Sequence, residues 1–228
     1  MKVTVLLPVK GFGNAKQRLT PLLSSAERES LAEAMFRDVF AEVMRARELA
    51  GKYVVTGDDK VAEVALSLGA SVIREPAERG ETSAVDFARS QLKERGHEAL
   101  LIIPADIPLV SAEDIEQVLC QIPEGVEGPF VLLVPSHDRK GTNALLLAPP
   151  DIVKLRFGLD SFTYHMSQVT GQGLPMRFIE NEQIALDIDE PKDLERFLVY
   201  QRDGQAFRRA RQFLAERDAE KRRRSGGL

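Results

Sequence analysis

The feature that most constrains this chain is an alternation. Short apolar runs recur along its 228 residues, separated by longer stretches of helical period. Residues 3–9 form the first apolar run, as expected for a strand covered on both faces, since a strand with one wet face alternates instead. After Ser24 or Ser25, either of which can cap a helix, Leu31, Met35, Val39 and Val43 recur at a spacing of four, one stripe of an amphipathic helix. Further strands are expected over 53–56, 71–74, 100–104, 130–135, 144–147, 176–179 and 185–188. Helices are expected over 58–68, 82–95, 111–121 and 161–169, the first ending at Gly69 and the second at Gly96. Pro191 opens a last helix at a first-turn position, where its missing N–H costs nothing. Strands alternating with helices predict an α/β fold with a mixed, mainly parallel sheet flanked by helices. One domain over residues 1–200 with a basic helical tail over 201–228 accounts for the length.

Composition narrows the function. Apolar residues are 43% of the chain and charged residues 29%, a soluble globular balance. The net charge is −4, and 202–228 carry nine basic and four acidic residues, so the rest carries −9. An acidic body argues against nucleic acid as a partner and suits a protein that offers carboxylates to a metal. The single cysteine, Cys120, cannot close an internal disulfide and reads as a small buried residue on a helix. The N-terminal apolar run is interrupted at Pro8 and ends at Lys10, too short to span a membrane, so a cytoplasmic protein is expected.

Ligands of open α/β sheets bind beyond the carboxyl ends of the strands. The first such loop, 8–19, holds Gly11, Gly13, Lys10, Lys16 and Arg18. It is neither a Walker nor a Rossmann loop, and reads either as a solvated basic loop or as a phosphate cradle. After residues 100–104, Asp106 stands in Pro-Ala-Asp-Ile-Pro, a carboxylate fixed either as a hard-cation ligand or as a turn residue. Near the end, Asp187 and Asp189 fall on one face of the expected strand 185–188 and its extension. Two adjacent carboxylates there call for a cation, unless Asp189 caps the helix at Pro191. In the middle, Gly-Thr-Asn at 141–143 and Gly-x-x-Ser at 158–161 offer N–H and hydroxyl donors, with Ser161 doubling as a helix cap.

In this order the pieces resemble the 2-phospho-L-lactate guanylyltransferase family of coenzyme F-420 biosynthesis. The resemblance spans residues 1–198 and rests on Pro8-Val9-Lys10 with 15–19, on 104–108, on Gly-Thr-Asn-Ala-Leu at 141–145, on Phe-Gly-Leu-Asp-Ser-Phe at 157–162 and on 186–194. It implies a GT-A-like nucleotidyltransferase fold. It also implies transfer of GMP from GTP to 2-phospho-L-lactate, phosphoenolpyruvate or 3-phospho-D-glycerate. Asp106, Asp187 and Asp189 then look like ligands of Mg²⁺ or Mn²⁺, and Lys10, Lys16 and Arg18 like triphosphate ligands. Thr142, Gly158 and Ser161 look like the acceptor site, and Ser83 lies where such a fold holds its base. The implied partners are GTP and a small phospho-acid, with neither nucleic acid nor membrane. A homodimer and the downstream deazaflavin-transfer enzyme are candidate protein partners.

The chemistry agrees with this resemblance. A phospho-acid is already anionic at neutral pH and needs no general base, and none of His97, His137 and His165 neighbours the carboxylates in sequence. His165 reads as a helix-face histidine with an ordinary partner. A molybdopterin or sugar-phosphate nucleotidyltransferase would carry a GGxSxRMG-type first loop, where this chain has KGFGNAKQRL. A non-catalytic nucleotide-binding protein on the same fold is the alternative from another class. Retention of the three carboxylates and both lysines argues against it.

Overall fold

A computed structural model describes residues 1–125 and 128–225. In chain order its strands are β1 (Val3–Pro8), β2 (Leu49–Thr56), β3 (Ser71–Arg74), β4 (Ala99–Ile102), β5 (Phe130–Pro135), β6 (Thr142–Ala148) and β7 (Met176–Phe178). The helices are α1 (Ser25–Arg45), α2 (Asp59–Ser67), α3 (Glu81–Glu94), α4 (Ala112–Leu119), α5 (Ser161–Gly171), α6 (Glu182–Ala185), α7 (Pro191–Val199) and α8 (Gln205–Ser225). The strands form one sheet in the order β3-β2-β1-β4-β6-β5-β7. β1 pairs in parallel with β2 and β4, β2 with β3, and β5 with β7, while β6 runs antiparallel to both β4 and β5.

Both sheet faces are buried, which is why the central strands read as apolar runs. Along β1, Val5 and Leu7 join one core and Leu6 the other. β4 divides the same way, Leu101 on one face and Leu100 and Ile102 on the other. Ser24 caps α1 with a reciprocal box, accepting from Glu27 N at 3.4 Å while Glu27 accepts from Ser24 N at 2.7 Å. Ser111 and Asp114 do the same for α4.

A third core lies beyond the sheet. Ala206, Phe207, Ala210 and Phe213 of α8 are buried there with Leu31 and Met35 of α1 and Leu194 and Phe197 of α7. The first N–H groups of α8, those of Gln205 and Ala206, donate to the Asp38 carboxylate of α1 at 3.0 and 2.8 Å, so one side chain caps a distant helix. The end of the expected basic tail, residues 226–228, lies outside the described residues.

Two expectations need correction. Residues 185–188 are not a strand: α6 ends at Ala185, and 186–189 are extended without joining the sheet. Leu186 and Ile188 bury into the third core, and Ile188 N donates to the Asp106 carbonyl at 3.0 Å. The period of two survives without a strand, because extended backbone alone alternates its side chains. Cys120, expected to be buried, is exposed at the C-terminal end of α4, where the helix stops and its stripe no longer faces the core.

Candidate functional site

The parallel strands converge their carboxyl ends on one edge of the sheet, and the reversed β6 brings its first residues to the same edge. Two cavities open there. The first, of about 380 Å³, is lined by the loop after β1, including Lys10, Gly11 and Lys16, and by Glu75, Glu78, Glu81 and Asp106. The second, of about 440 Å³, is lined by Thr142, Asn143, Gly158, Ser161, Lys140 and Lys192, among others. Glu81, Pro104, Asp106 and Asp189 belong to both and form the wall between them.

Lys16 is the centre of this wall. It takes a left-handed backbone (φ 55°), and its ammonium donates to Asp106 Oδ2 at 2.5 Å and Asp189 Oδ1 at 2.7 Å. Burial alone would lower its pKa, but Asp106 and Asp189 outweigh that and hold it raised. Lys16 therefore stays charged. The Asp189 carboxyl, which burial would raise, is held below its ordinary value by Lys16. Asp189 is thus engaged with Lys16 and does not cap α7. Glu190 takes the cap position, its N–H donating to Asp193 Oδ2 at 2.8 Å.

Asp187 is pushed above its ordinary pKa by burial and by Asp106, opposed by a hydrogen bond from Asn143 Nδ2 at 3.0 Å. Asp106 keeps one oxygen, Oδ1, buried without a hydrogen-bond partner. A partnerless buried carboxylate oxygen beside a second carboxyl that is pushed up by burial and by Asp106 suits a cationic group beyond Lys16. Among the described residues no three of His, Cys, Asp or Glu are arranged to enclose an ion. The donor set fits a hard cation that takes part of its shell from elsewhere, such as substrate phosphates, rather than a closed protein cage.

The second cavity has a fixed hydroxyl pair. His165 is fully buried, and burial, with Arg156 and Arg89 nearby, lowers its pKa to about 4, so it is neutral at pH 7. Its Nε2 accepts from Arg156 N at 3.2 Å, so the proton sits on Nδ1 and is donated to Thr142 Oγ1 at 3.0 Å. Ser161 Oγ accepts from Thr142 N, also at 3.0 Å. Each hydroxyl accepts one of these bonds and keeps its own proton for a ligand. Gly158, at φ 97°, turns the chain into α5 beside the same cavity, and the first α5 N–H groups are already engaged, Ser161 N with Gly158 O and Phe162 N with Lys140 O, both at 3.1 Å. The ordinary-partner reading of His165 agrees with this geometry; it lines neither cavity.

Two expected residues fall elsewhere. Arg18 lines the second cavity, not the one with Lys10 and Lys16, and is paired with Glu190 at 3.6 Å. Its place in the short turn after Lys16, Gln17–Leu19, points it away from the β1 loop. Ser83 is exposed on α3 and lines neither cavity, whereas its neighbours Glu81 and Ala84 line the first. Sequence reasoning passed over Glu81, whose pKa burial and Asp106 raise to about 7. A Glu in the first turn of a helix is common, so nothing local marks it. The Glu75–Glu78 pair was equally unmarked, and Asn143, part of the Gly-Thr-Asn turn, gave no sign that it orients Asp187.

Known proteins complete the description. A phosphoenolpyruvate guanylyltransferase of Rubrobacter xylanophilus is 36% identical over 196 residues, 86% of this chain and 93% of that protein. A 2-phospho-L-lactate guanylyltransferase of Methanothermobacter thermautotrophicus is 32% identical over 200 residues, 88% and 86% of the two chains. A solved structure from Desulfovibrio desulfuricans G20, provisionally assigned as a nucleotide-diphospho-sugar transferase, shares the fold at a TM-score of 0.73 and 16% identity, over 96% of both chains. The model of the "Guanylyl transferase CofC like" family matches residues 3–222, reaching well into α8 and past the 198 residues that the sequence motifs spanned. With this match over nearly the whole length, the chain belongs to the CofC-like guanylyl transferase family.

Proposed function

We propose that this protein transfers GMP from GTP to the phosphate of a three-carbon phospho-acid and releases pyrophosphate, a step of coenzyme F-420 biosynthesis, with Mg²⁺ or Mn²⁺ as cofactor. The observation that carries this reading is the pair of cavities sharing one carboxylate wall, a geometry for two anionic ligands meeting at a point. The relatives named above act, by their names, on phosphoenolpyruvate and on 2-phospho-L-lactate.

A phosphate oxygen of the acceptor forms a bond to the α-phosphorus of GTP. The bond from that phosphorus to the bridging oxygen breaks, and pyrophosphate leaves with the electron pair. No proton need be removed. The chain's work is to hold two anions in line and lower their repulsion. Lys10 and Lys16 bind the triphosphate, Lys16 exchanging a carboxylate for a phosphate oxygen. Thr142 and Ser161 donate their free hydroxyl protons to the acceptor, and the N–H of Gly158 does the same. Arg18, Lys140 and Lys192 complete the positive side of the acceptor cavity. Asp106 and Asp187, the latter steadied by Asn143, and Asp189 are the residues that would hold the cation. When bound, it would supply charge neutralisation for the reacting phosphates.

The test is pyrophosphate release from each of the four common nucleoside triphosphates. Each is paired with phosphoenolpyruvate, 2-phospho-L-lactate or 3-phospho-D-glycerate, with and without Mg²⁺. Release is expected with GTP and one acceptor, and to require the metal. Tight GTP binding with no release in any pairing would overturn the reading in favour of a non-catalytic nucleotide-binding protein.

A further inference from the structure

We infer that Glu75 reads the nucleotide base, its carboxylate accepting hydrogen bonds from the N1–H and 2-amino groups of guanine. The inference rests on the proposed transfer reading for the identity of the base.

Glu75 follows β3, on the far side of β2 and β1 from the catalytic wall. It is only 8% exposed, and it lines both the first cavity and a third, of about 260 Å³, that adjoins it. The third cavity contains none of Asp106, Asp187 and Asp189, and the acceptor cavity contains neither Glu75 nor Glu78. The first cavity therefore runs from Glu75 and Glu78 at one end to the shared wall at the other. From β3 to β4 is three strand spacings, roughly 14 Å. Base, ribose and α-phosphate bridge such a gap once side chains reach inward from both ends.

Three carboxylates gather at the far end, and two are engaged. Asp58 caps α2, accepting from Val61 N at 2.9 Å, and Glu78 accepts from Gly11 N at 3.1 Å. Glu75 has no hydrogen-bond or ion-pair partner among the described residues, although its backbone is pinned by Glu75 N donating to Thr56 O at 3.1 Å. Gly57 makes room for both glutamate stems: a Cβ there would sit 3.2 Å from Glu78 Cγ and 3.4 Å from Glu75 Cγ. Burial and Glu78 raise the Glu75 pKa, Lys10 opposing, as expected for an acceptor lacking its donor.

Two carboxylates repel a triphosphate, so this end takes a neutral group with donors. Of the common bases only guanine presents adjacent ring and amine donors that match a carboxylate. Adenine and cytosine set a lone pair against it beside their one amine, and uracil flanks its N–H with two carbonyls. The apolar lining of the first cavity, from Val9, Phe12, Ala32, Met35 and Ala84, suits the faces of a purine.

The test is calorimetric titration of the full chain without acceptor, using GTP, inosine triphosphate, ATP and xanthosine triphosphate. The wild type should bind GTP best, inosine triphosphate less well and ATP least. Glu75→Gln should weaken GTP about ten- to a hundredfold, the worth of a hydrogen bond to a charged group. GTP then falls toward inosine triphosphate, and xanthosine triphosphate gains, since its C2 carbonyl accepts from the Gln amide. In turnover, the loss should appear in the GTP KM rather than in kcat. Unchanged GTP affinity and ranking in Glu75→Gln overturns the inference, as does a wild type that binds GTP and ATP alike, a measurement that needs no variant. Failure of the transfer reading shows separately, as a wild type that binds GTP but releases no pyrophosphate.

Discussion

Replacing Thr142 by Val keeps the shape of the side chain and removes one oxygen that has two duties. As an acceptor it receives the Nδ1–H of His165 at 3.0 Å; as a donor it has a free proton in the acceptor cavity. The donor duty sets the kinetic effect. A hydrogen bond to a charged group is worth about 1.5–3 kcal/mol, so the phospho-acid KM should rise about ten- to a hundredfold while the GTP KM stays put. The acceptor duty sets a thermodynamic effect that a purely kinetic role would lack. His165 is fully buried, and its orphaned N–H should cost about 1–3 kcal/mol, a fall in Tm of roughly 2–12 °C for a domain of this size. Thr142→Ser restores both duties and should recover both values. Steady-state pyrophosphate release at varied acceptor and varied GTP, with a thermal melt of each protein, measures everything required. A raised GTP KM with an unchanged acceptor KM would place the Gly-Thr-Asn turn in the nucleotide site. An unchanged Tm would refute the tautomer assigned to His165.

Three further outcomes are expected. Asp106→Asn should keep the fold and cut transfer by a factor corresponding to roughly 3–4 kcal/mol of transition-state electrostatics. Near-normal turnover across a Mg²⁺ titration would rule Asp106 out as a ligand. Truncation after Gln201 should lower Tm sharply and yield aggregated protein, because Phe207 and Phe213 leave the third core and losing one buried Phe side chain already costs about 3–5 kcal/mol. A truncated chain that melts like the full one would show that α8 contributes no stability. Burial holds the His165 pKa down to about 4 from 6.5, so the unfolded chain binds more protons between those values and stability falls as pH drops through them. Burial and Asp106 raise the Glu81 pKa from 4.5 to about 7, so the native chain binds more protons between those values and stability falls as pH rises through them. These slopes oppose one another, and Glu81→Gln should make stability climb more steeply between 4.5 and 7 than in the wild type. Parallel pH curves from denaturant melts would contradict the Glu81 assignment.

Much of the molecule was legible because its signals are local. Strands buried on both faces spell themselves as apolar runs, and Ser24 and Ser111 announce helices with reciprocal caps. Asp106 was findable because two prolines and an apolar strand leave a lone carboxylate little other purpose. The segment at 185–188 misled because alternation marks extended backbone, and only hydrogen-bond partners decide whether that backbone is a strand; Ile188 N bonds to the Asp106 carbonyl and Ala185 to Asn181 O and His137 N, which make no ladder. Cys120 misled because helical period does not say where the helix ends. Glu75 and Glu81 carried no sequence signal, and Asn143 only its place in the Gly-Thr-Asn turn, with nothing to name its partner. Their significance arises from neighbours more than 20 positions away, Asp106 beside Glu81 and Asp187 beside Asn143. The split between Arg18 and Lys16 was invisible for the converse reason, since two residues of separation across a left-handed turn send side chains to different cavities.

The reversal of β6 has a consequence for how such a protein can diverge. Thr142 and Asn143 reach the ligand edge at the start of a strand, from a hairpin, and Gly158 and Ser161 from the entry to a helix. None of these four lines the nucleotide cavity. Apart from Arg18, which the β1 loop lends to the second cavity, the two cavities draw on different stretches of chain and share only the residues of the wall. Selection can rewrite the turns at 136–141 and 157–161 for a new acceptor without disturbing a nucleotide cavity built from the β1 loop and the segment after β3. Relatives with one donor chemistry and differently named phospho-acids are what such independent inheritance produces.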